Sequence, residues 1–271
     1  MNLFRLLASS AIVWKLFNRC IWGPALAFRR YRSEVIEKRL FARFNSPATV
    51  MAGPFQGLKY PFMKSCCSTL PPKLLGTYEA ELQPYFLRWK SVNFSQIIDI
   101  GAAEGYYAVG LARMFPDATV TAYDTSEEAR NLTAELAEAN ETKPRTTICG
   151  LCTREVLLDQ DFSGKTLIVC DCEGYELTLF DEELANHLKK CHLIIELHDN
   201  PQEGFSARPR LIHILNQTHR VEIVSSLNDD QKSNTYRSAF LNDDPIERQV
   251  AFAEKRPFTM DWLICEPITH R

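Results

Sequence analysis

From Ser95 onward, apolar runs rich in β-branched residues recur at 97–100, 119–123, 146–149, 167–170, 193–197 and 221–224, with a last one at 262–265. Between the first six lie helical periods at 106–115, 127–138, 176–188 and 208–217, while the stretch between the third and fourth runs is too short to be assigned a helix. Strand–helix alternation of this kind predicts a mostly parallel sheet with helices on both faces. The last pair lacks an obvious crossover helix, so the seventh strand is expected to return antiparallel beside the sixth.

Ahead of this pattern, residues 3–21 read as a helix with Leu3, Leu7, Trp14, Phe17 and Ile21 on one face. Arg5, Ser9, Lys15 and Arg19 fall roughly opposite, although Ile12 and Leu16 intrude on that side, and Arg29, Arg30 and Arg32 follow. A basic amphipathic stretch suits a membrane interface. Its rivals are a helix packed on its own domain or on a dimer partner, and a cleaved signal peptide ending near Ala25-Leu26-Ala27, whose apolar core the charges interrupt. Residues 46–75 contain Pro47, Gly53, Pro54, Gly57, Pro61, Pro71 and Pro72 and read as turns and short strands, and 78–89 as a short helix. The expected division is a helical extension over 1–45, a pre-domain over 46–94 and the main domain over 95–271.

Composition narrows the class without naming it. The 271 residues are 45% apolar and 24% charged, ordinary for a globular chain. No stretch reaches the ~18 uncharged apolar residues that a spanning helix needs. Nine cysteines, an odd number scattered through the strands, argue against a disulfide framework and for a reducing compartment, hence the cytoplasm. Charge is unevenly shared. Residues 1–45 carry +7, and the remaining 226 carry -10. So acidic a body excludes nucleic acid as a partner, because polyanion binding rests on cations that displace counterions. The basic segment is expected instead to make peripheral contact with an anionic surface.

The first strand ends in Asp99-Ile100-Gly101-Ala102-Ala103-Glu104-Gly105. Small residues at 101, 103 and 105 let the backbone turn sharply and approach a ligand. The second strand ends in Asp124, an acid placed to accept hydrogen bonds from the ribose hydroxyls of an adenine nucleoside. A dinucleotide site would carry G-x-G-x-x-G facing a pyrophosphate. Here Ala103 replaces the second glycine, and Asp99 and Glu104 add acids that repel phosphate but suit the ammonium of a methionine moiety. With a seventh strand expected, these features point to S-adenosyl-L-methionine.

Residues 98–108, IDIGAAEGYYA, together with 167–177, LIVCDCEGYEL, and 193–198, LIIELH, resemble three motifs of the FkbM-like methyltransferases in their usual order. Residues 73–82, KLLGTYEAEL, are similar to a stretch found in a subset of them. The chain departs at Ala103-Glu104, where many members have Asn-Ile. The resemblance implies a class I methyltransferase (Rossmann-like) sheet of seven strands, an S-adenosylmethionine cofactor, and an acceptor that is a sugar, glycan or related natural product. It covers roughly residues 76–200 and leaves 1–45 and 227–259 outside.

Ligands of open α/β sheets bind beyond the carboxyl ends of the strands. Asp171 and Glu173 follow the fourth strand, and Glu196 and His198 end the fifth, two residues apart and so on one face. Methyl transfer to a hydroxyl needs help in removing its proton. His198 is the natural base, with the acids orienting it and the acceptor. Alternatively Asp171, Glu173, Glu196 and His198 hold a divalent metal, Mg or Mn, that acidifies the hydroxyl. Asp171 can also be read as a helix cap and Glu176 as a first-turn acid. His187, His192, His213, His219 and His270 carry no motif.

Cys149-Gly150-Leu151-Cys152 has metal-ligand spacing, but no second such pair accompanies it, so these thiols read as structural, with Gly150 beside the adenine. The polar segment 228–259, carrying Tyr236, Arg237, Phe240, Arg248 and Arg256, reads as a mobile surface loop or a substrate lid. The whole describes an O-methyltransferase of a small molecule or glycan. Its alternatives are an N-methyltransferase of a peptide or amine, and a non-catalytic cofactor-binding partner. The oligomeric state is not encoded in any pattern found.

Overall fold

The structure, a computed structural model, describes residues 9–198 and 207–268. Its centre is a sheet of seven strands: β3 (Gln96–Ile100), β4 (Thr119–Tyr123), β5 (Thr146–Cys149), β6 (Thr166–Cys170), β7 (His192–Leu197), β8 (His219–Ser225) and β9 (Asp261–Pro267). They lie in the order β5-β4-β3-β6-β7-β9-β8. The first five strands run parallel, and β9 pairs antiparallel with both β7 and β8. That is the class I methyltransferase arrangement, including the returned last strand.

Side-chain alternation divides the core in two. Ile97, Leu167, Val169, Ile194 and Trp262 join one buried cluster, and Ile98, Ile168, Ile195 and Leu263 join another on the opposite face. On the second face pack α7 (Arg154–Leu158), α8 (Glu176–Leu179), α9 (Glu182–His187) and α10 (Ala207–Leu215). On the first lie α5 (Tyr106–Met114), α6 (Glu127–Ala139) and the segment preceding β3. That segment contains the antiparallel pair β1 (Ala48–Thr49) and β2 (Lys59–Tyr60), then α3 (Leu70–Leu75) and α4 (Gln83–Trp89). Phe55, Tyr60, Leu74 and Phe86 share their cluster with Val109 of α5, so residues 46–94 close directly over the sheet.

At the N-terminal end, α1 (Ala11–Phe17) passes through a π-helical turn, Asn18–Trp22, into α2 (Gly23–Arg43). Leu3, Arg5 and Leu7 lie outside the described residues. Neither α1 nor the π turn buries a side chain, whereas α2 buries Leu40. No described helix is long and apolar enough to cross a membrane.

Three stretches differ from the sequence expectation. The helix expected over 176–188 splits into α8 and α9, because the Asp181 carboxylate accepts the Leu184 N–H at 2.8 Å and starts a new helix. A short helix, α7, fills the gap left between the third and fourth strands, capped by Thr153. The segment 228–259, expected as a loop, contains helices: α11 (Asp229–Thr235), opened by a reciprocal cap between Asn228 and Gln231, and α12 (Pro245–Phe252), capped by Asp244.

Candidate active site

The sheet changes direction at β3. The chain builds outward through β4 and β5, then returns to β6 on the other side, leaving a crevice beyond the strand ends. A cavity of about 440 Å3 occupies it, within the range that holds small-molecule ligands. Gly101, Ala102 and Ala103 line it from β3, Asp124 and Ser126 from β4, and Gly150, Leu151 and Cys152 from β5. Asp171, Cys172, Glu173 and Tyr175 line it from β6.

Gly101 has φ +82°, and a Cβ there would lie 1.6 Å from the Asp171 carbonyl oxygen, so only glycine permits this approach. Ala103 also has positive φ and donates its N–H to Asp124 Oδ2 at 2.8 Å, while Ser126 N–H donates to Oδ1 at 2.8 Å. Asp124 therefore sets the shape of the loop and still borders the cavity. Asp99 lines the floor, where burial raises its carboxyl to about 7 against the opposing Ala108 N–H bond of 2.8 Å.

Two residues expected to touch cofactor lie outside the cavity wall. Glu104 is fully buried and accepts from Lys73 Nζ at 2.5 Å, Ser65 Oγ at 2.8 Å and Cys66 N–H at 3.0 Å. Burial would raise its carboxyl, but Lys73 and these bonds carry it below the usual value. Its charge answers Lys73 rather than an external ammonium. Gly105 has φ +89° and backs onto Thr133, where a Cβ would clash at 2.8 Å.

Behind Asp171 and Glu173 stands His198, its side chain 16% exposed. His198 Nδ1 meets Glu176 Oε1 at 3.0 Å; a carboxylate only accepts, so Nδ1 donates and Nε2 faces the opposite way. Nε2 lies 3.5 Å from Asp171 Oδ1, 3.5 Å from Glu196 Oε2 and 3.6 Å from Glu173 Oε2. Burial would lower the imidazole's pKa, yet the Glu176 hydrogen bond and the surrounding carboxylates raise it. Glu176 moves the opposite way: burial raises it, and His198 with the Cys172 N–H brings it below normal. Asp171 is driven well up by burial and by neighbouring Glu196, and its Oδ1 is sealed from solvent without a hydrogen-bond partner.

The structure thus brings Asp171, Glu173, Glu196 and His198 together, as the strand spacing predicts, and adds Glu176 as the partner of His198. Sequence reasoning missed three further charges. Arg256, from the segment after α12, pairs with Glu196, with Glu79 at 2.5 Å and with Glu254 at 3.0 Å. Glu79, held up at about 8 mainly by burial, also accepts from Tyr107 Oη. Lys73 is buried beneath the Tyr78 ring at 4.7 Å and lines the cavity. Lys73 and Glu79 lie in the 73–82 stretch, KLLGTYEAEL, so their place near the site carries a sequence signal; nothing in the sequence pairs Arg256 with residues so far from it.

All nine cysteines are free. Cys170 and Cys172 bring their sulfurs to 3.5 Å across Asp171, and burial pushes the Cys152 thiol up to about 12. His192 packs on Trp89 and Phe94, and burial takes it down to about 4. His187 and His219 bond to backbone carbonyls, His213 lies on α10, and His270 is outside the described residues.

No family model matches the sequence, and neither does any curated protein. Solved structures do resemble the fold. Precorrin-6y C5,15-methyltransferase from Geobacter metallireducens is 11% identical with a TM-score of 0.44, covering 68% of this chain and 87% of its own. The O-methyltransferase TomG from Streptomyces achromogenes, solved with SAM, is 11% identical with a TM-score of 0.43, covering 71% and 81%. Geranyl diphosphate C-methyltransferase from Streptomyces coelicolor, solved with Mg2+ and S-adenosyl-L-homocysteine, is 12% identical with a TM-score of 0.41, covering 72% and 79%.

Proposed function

We propose that the chain is an S-adenosylmethionine-dependent methyltransferase acting on a hydroxyl of a sugar, glycan or related natural product. One observation carries this reading: the small-residue loop and the acid ending β4 line one crevice at the strand ends, and its wall also carries Asp171 and Glu173, the two carboxylates behind which His198 Nε2 lies at 3.5 and 3.6 Å. The acceptor class rests on the motif resemblance alone.

When bound, S-adenosylmethionine supplies an electrophilic methyl group on a sulfonium. The remaining lone pairs of Asp124 would accept from the ribose, and Gly150 and Leu151, which line the cavity, would flank the adenine. Lys73, already paired with Glu104, would also answer the methionine carboxylate, and the Tyr78 and Tyr106 rings beside its ammonium would shield that contact from water. At the acceptor end, Glu176 fixes the His198 tautomer so that Nε2 is the basic nitrogen. Nε2 would take the acceptor hydroxyl's proton and so make its oxygen the stronger nucleophile. Arg256 holds Glu196 and Glu79 in place and keeps several buried carboxylates from repelling one another.

A second reading is favoured by the orphaned Asp171 oxygen. Asp171, Glu196 and His198 each offer an atom within 4.8 Å of the others, a set that suits Mg or Mn, with Glu173 beside it. Such an ion would orient and acidify the acceptor hydroxyl.

Calorimetry with S-adenosylmethionine should show one site, and methyl-labelled cofactor incubated with cell extract should place the label on oxygen. Label on nitrogen would replace the acceptor, and absence of cofactor binding would end the proposal. Loss of turnover on chelation, restored by Mg or Mn, would select the metal reading.

A further inference from the structure

We propose that the helix formed by residues 11–31 is a docking surface for an anionic lipid bilayer. Ile12, Trp14, Leu16, Ile21, Trp22 and Phe28 are each more than half exposed, although large apolar side chains normally find cover. They crowd onto α1, the π turn and the first turns of α2, and the first two of these elements bury nothing. The rest of α2 is anchored. Arg43 pairs with Glu247, Lys255 reaches Glu37 at 2.9 Å, and Leu40 enters the core. The docked half therefore holds the apolar half out from the body.

Charge selects the occupant. Residues 9–33 contain Lys15, Arg19, Arg29, Arg30 and Arg32 and no acid at all. A second copy of this helix would set these cations against their own counterparts. A bilayer of anionic lipid answers Lys15 and Arg19 at the tip, joined by Arg29, Arg30 and Arg32 from their exposed contacts with Gln249, Glu34 and Asp244, and accepts the apolar side chains in its headgroup boundary. Two exposed tryptophans suit that depth, since indole is apolar with one polar edge. The acidic body, facing away, is repelled by the same surface and so favours a tip-first approach.

The four tryptophans make the test selective. Trp14 and Trp22 are exposed, while Trp89 and Trp262 are buried. The full chain should float with phosphatidylcholine/phosphatidylglycerol vesicles, release in high salt, and ignore phosphatidylcholine alone. Brominated acyl chains should quench part of its fluorescence. Trp14→Phe with Trp22→Phe should abolish the quenching while flotation persists. Lys15→Gln with Arg19→Gln should weaken binding roughly 25-fold at low salt, about five-fold per charge. None of these side chains is buried, so unfolding midpoints should match the parent. Flotation without quenching, flotation that survives the double charge loss, or no flotation would each overturn the proposal. Concentration-dependent dimerisation lost with the same charge variant would assign the face to a second copy instead.

Discussion

Asp99 keeps a carboxyl group inside the sheet, where the Ala108 N–H donates to it at 2.8 Å. With its pKa raised from 3.8 to about 7, it binds a proton on folding. Its stabilising contribution is complete below pH ~4 and fades as pH rises through 7, by up to about 4 kcal/mol. Asp99→Asn should keep the hydrogen bond and remove that dependence, so chemical denaturation at pH 5 and pH 8 should shift less in the variant than in the parent. Lys73 invites a different experiment, because two roles overlap in it. Lys73→Met alone strands the buried Glu104 and should cost about 3–5 kcal/mol of stability. Adding Glu104→Gln should restore the melting temperature but not cofactor affinity, if the ammonium answers the methionine carboxylate. Asp124→Ala, which loses a charge-assisted acceptor, should weaken cofactor binding by tens-fold in calorimetry, from about 1.5–3 kcal/mol. Asp124 and Asp99 are legible in sequence because strand ends fix their place. Glu104 is misleading, since a side chain one position along the loop turns inward to a lysine 31 residues away.

The helices show where local pattern suffices and where it does not. Strands declare themselves through apolar runs, and their antiparallel return follows from a missing crossover. Caps are local too, yet Asp181 and Asn228 sit amid polar residues that hide them. Asn228→Ala should lower stability by about 1 kcal/mol in thermal unfolding, as loss of a cap does elsewhere. The N-terminal helix divides in the same manner. Lys15→Gln, Arg19→Gln or Trp22→Phe should leave the unfolding midpoint in place, because nothing in α1 or the π turn is buried. Removing residues 1–45 takes Leu40 and Phe44 from the core and should destabilise by several kcal/mol, on the order of 2–5 for each large side chain lost. Arg256 is the element that pattern could not supply. Its segment is anchored by Lys232, buried between Glu254 and Glu81, and its guanidinium completes a site built from β7 and the stretch before α4.

Across the molecule, the sheet order gathers chemistry from segments far apart in the chain, and the tightest seam in it lies between β3 and β6. Gly101 and the Asp171 carbonyl fit so closely that one hydrogen replaces a methyl, and Asp171 N–H bonds to Ile100 O at 2.8 Å. On one side of that seam Gly101 lines the cavity, and on the other Asp171 sets its Oδ1 3.5 Å from His198 Nε2. A nucleoside settling on the loop cannot move Gly101 without moving Asp171. Occupancy of one half of the crevice should then alter the grip of the other. By thermodynamic reciprocity, whatever factor the demethylated cofactor adds to or takes from acceptor affinity, the acceptor must return to the cofactor. Turnover in such an enzyme would be governed by the order in which two ligands arrive and leave, and product inhibition patterns would reveal which of them the seam admits first.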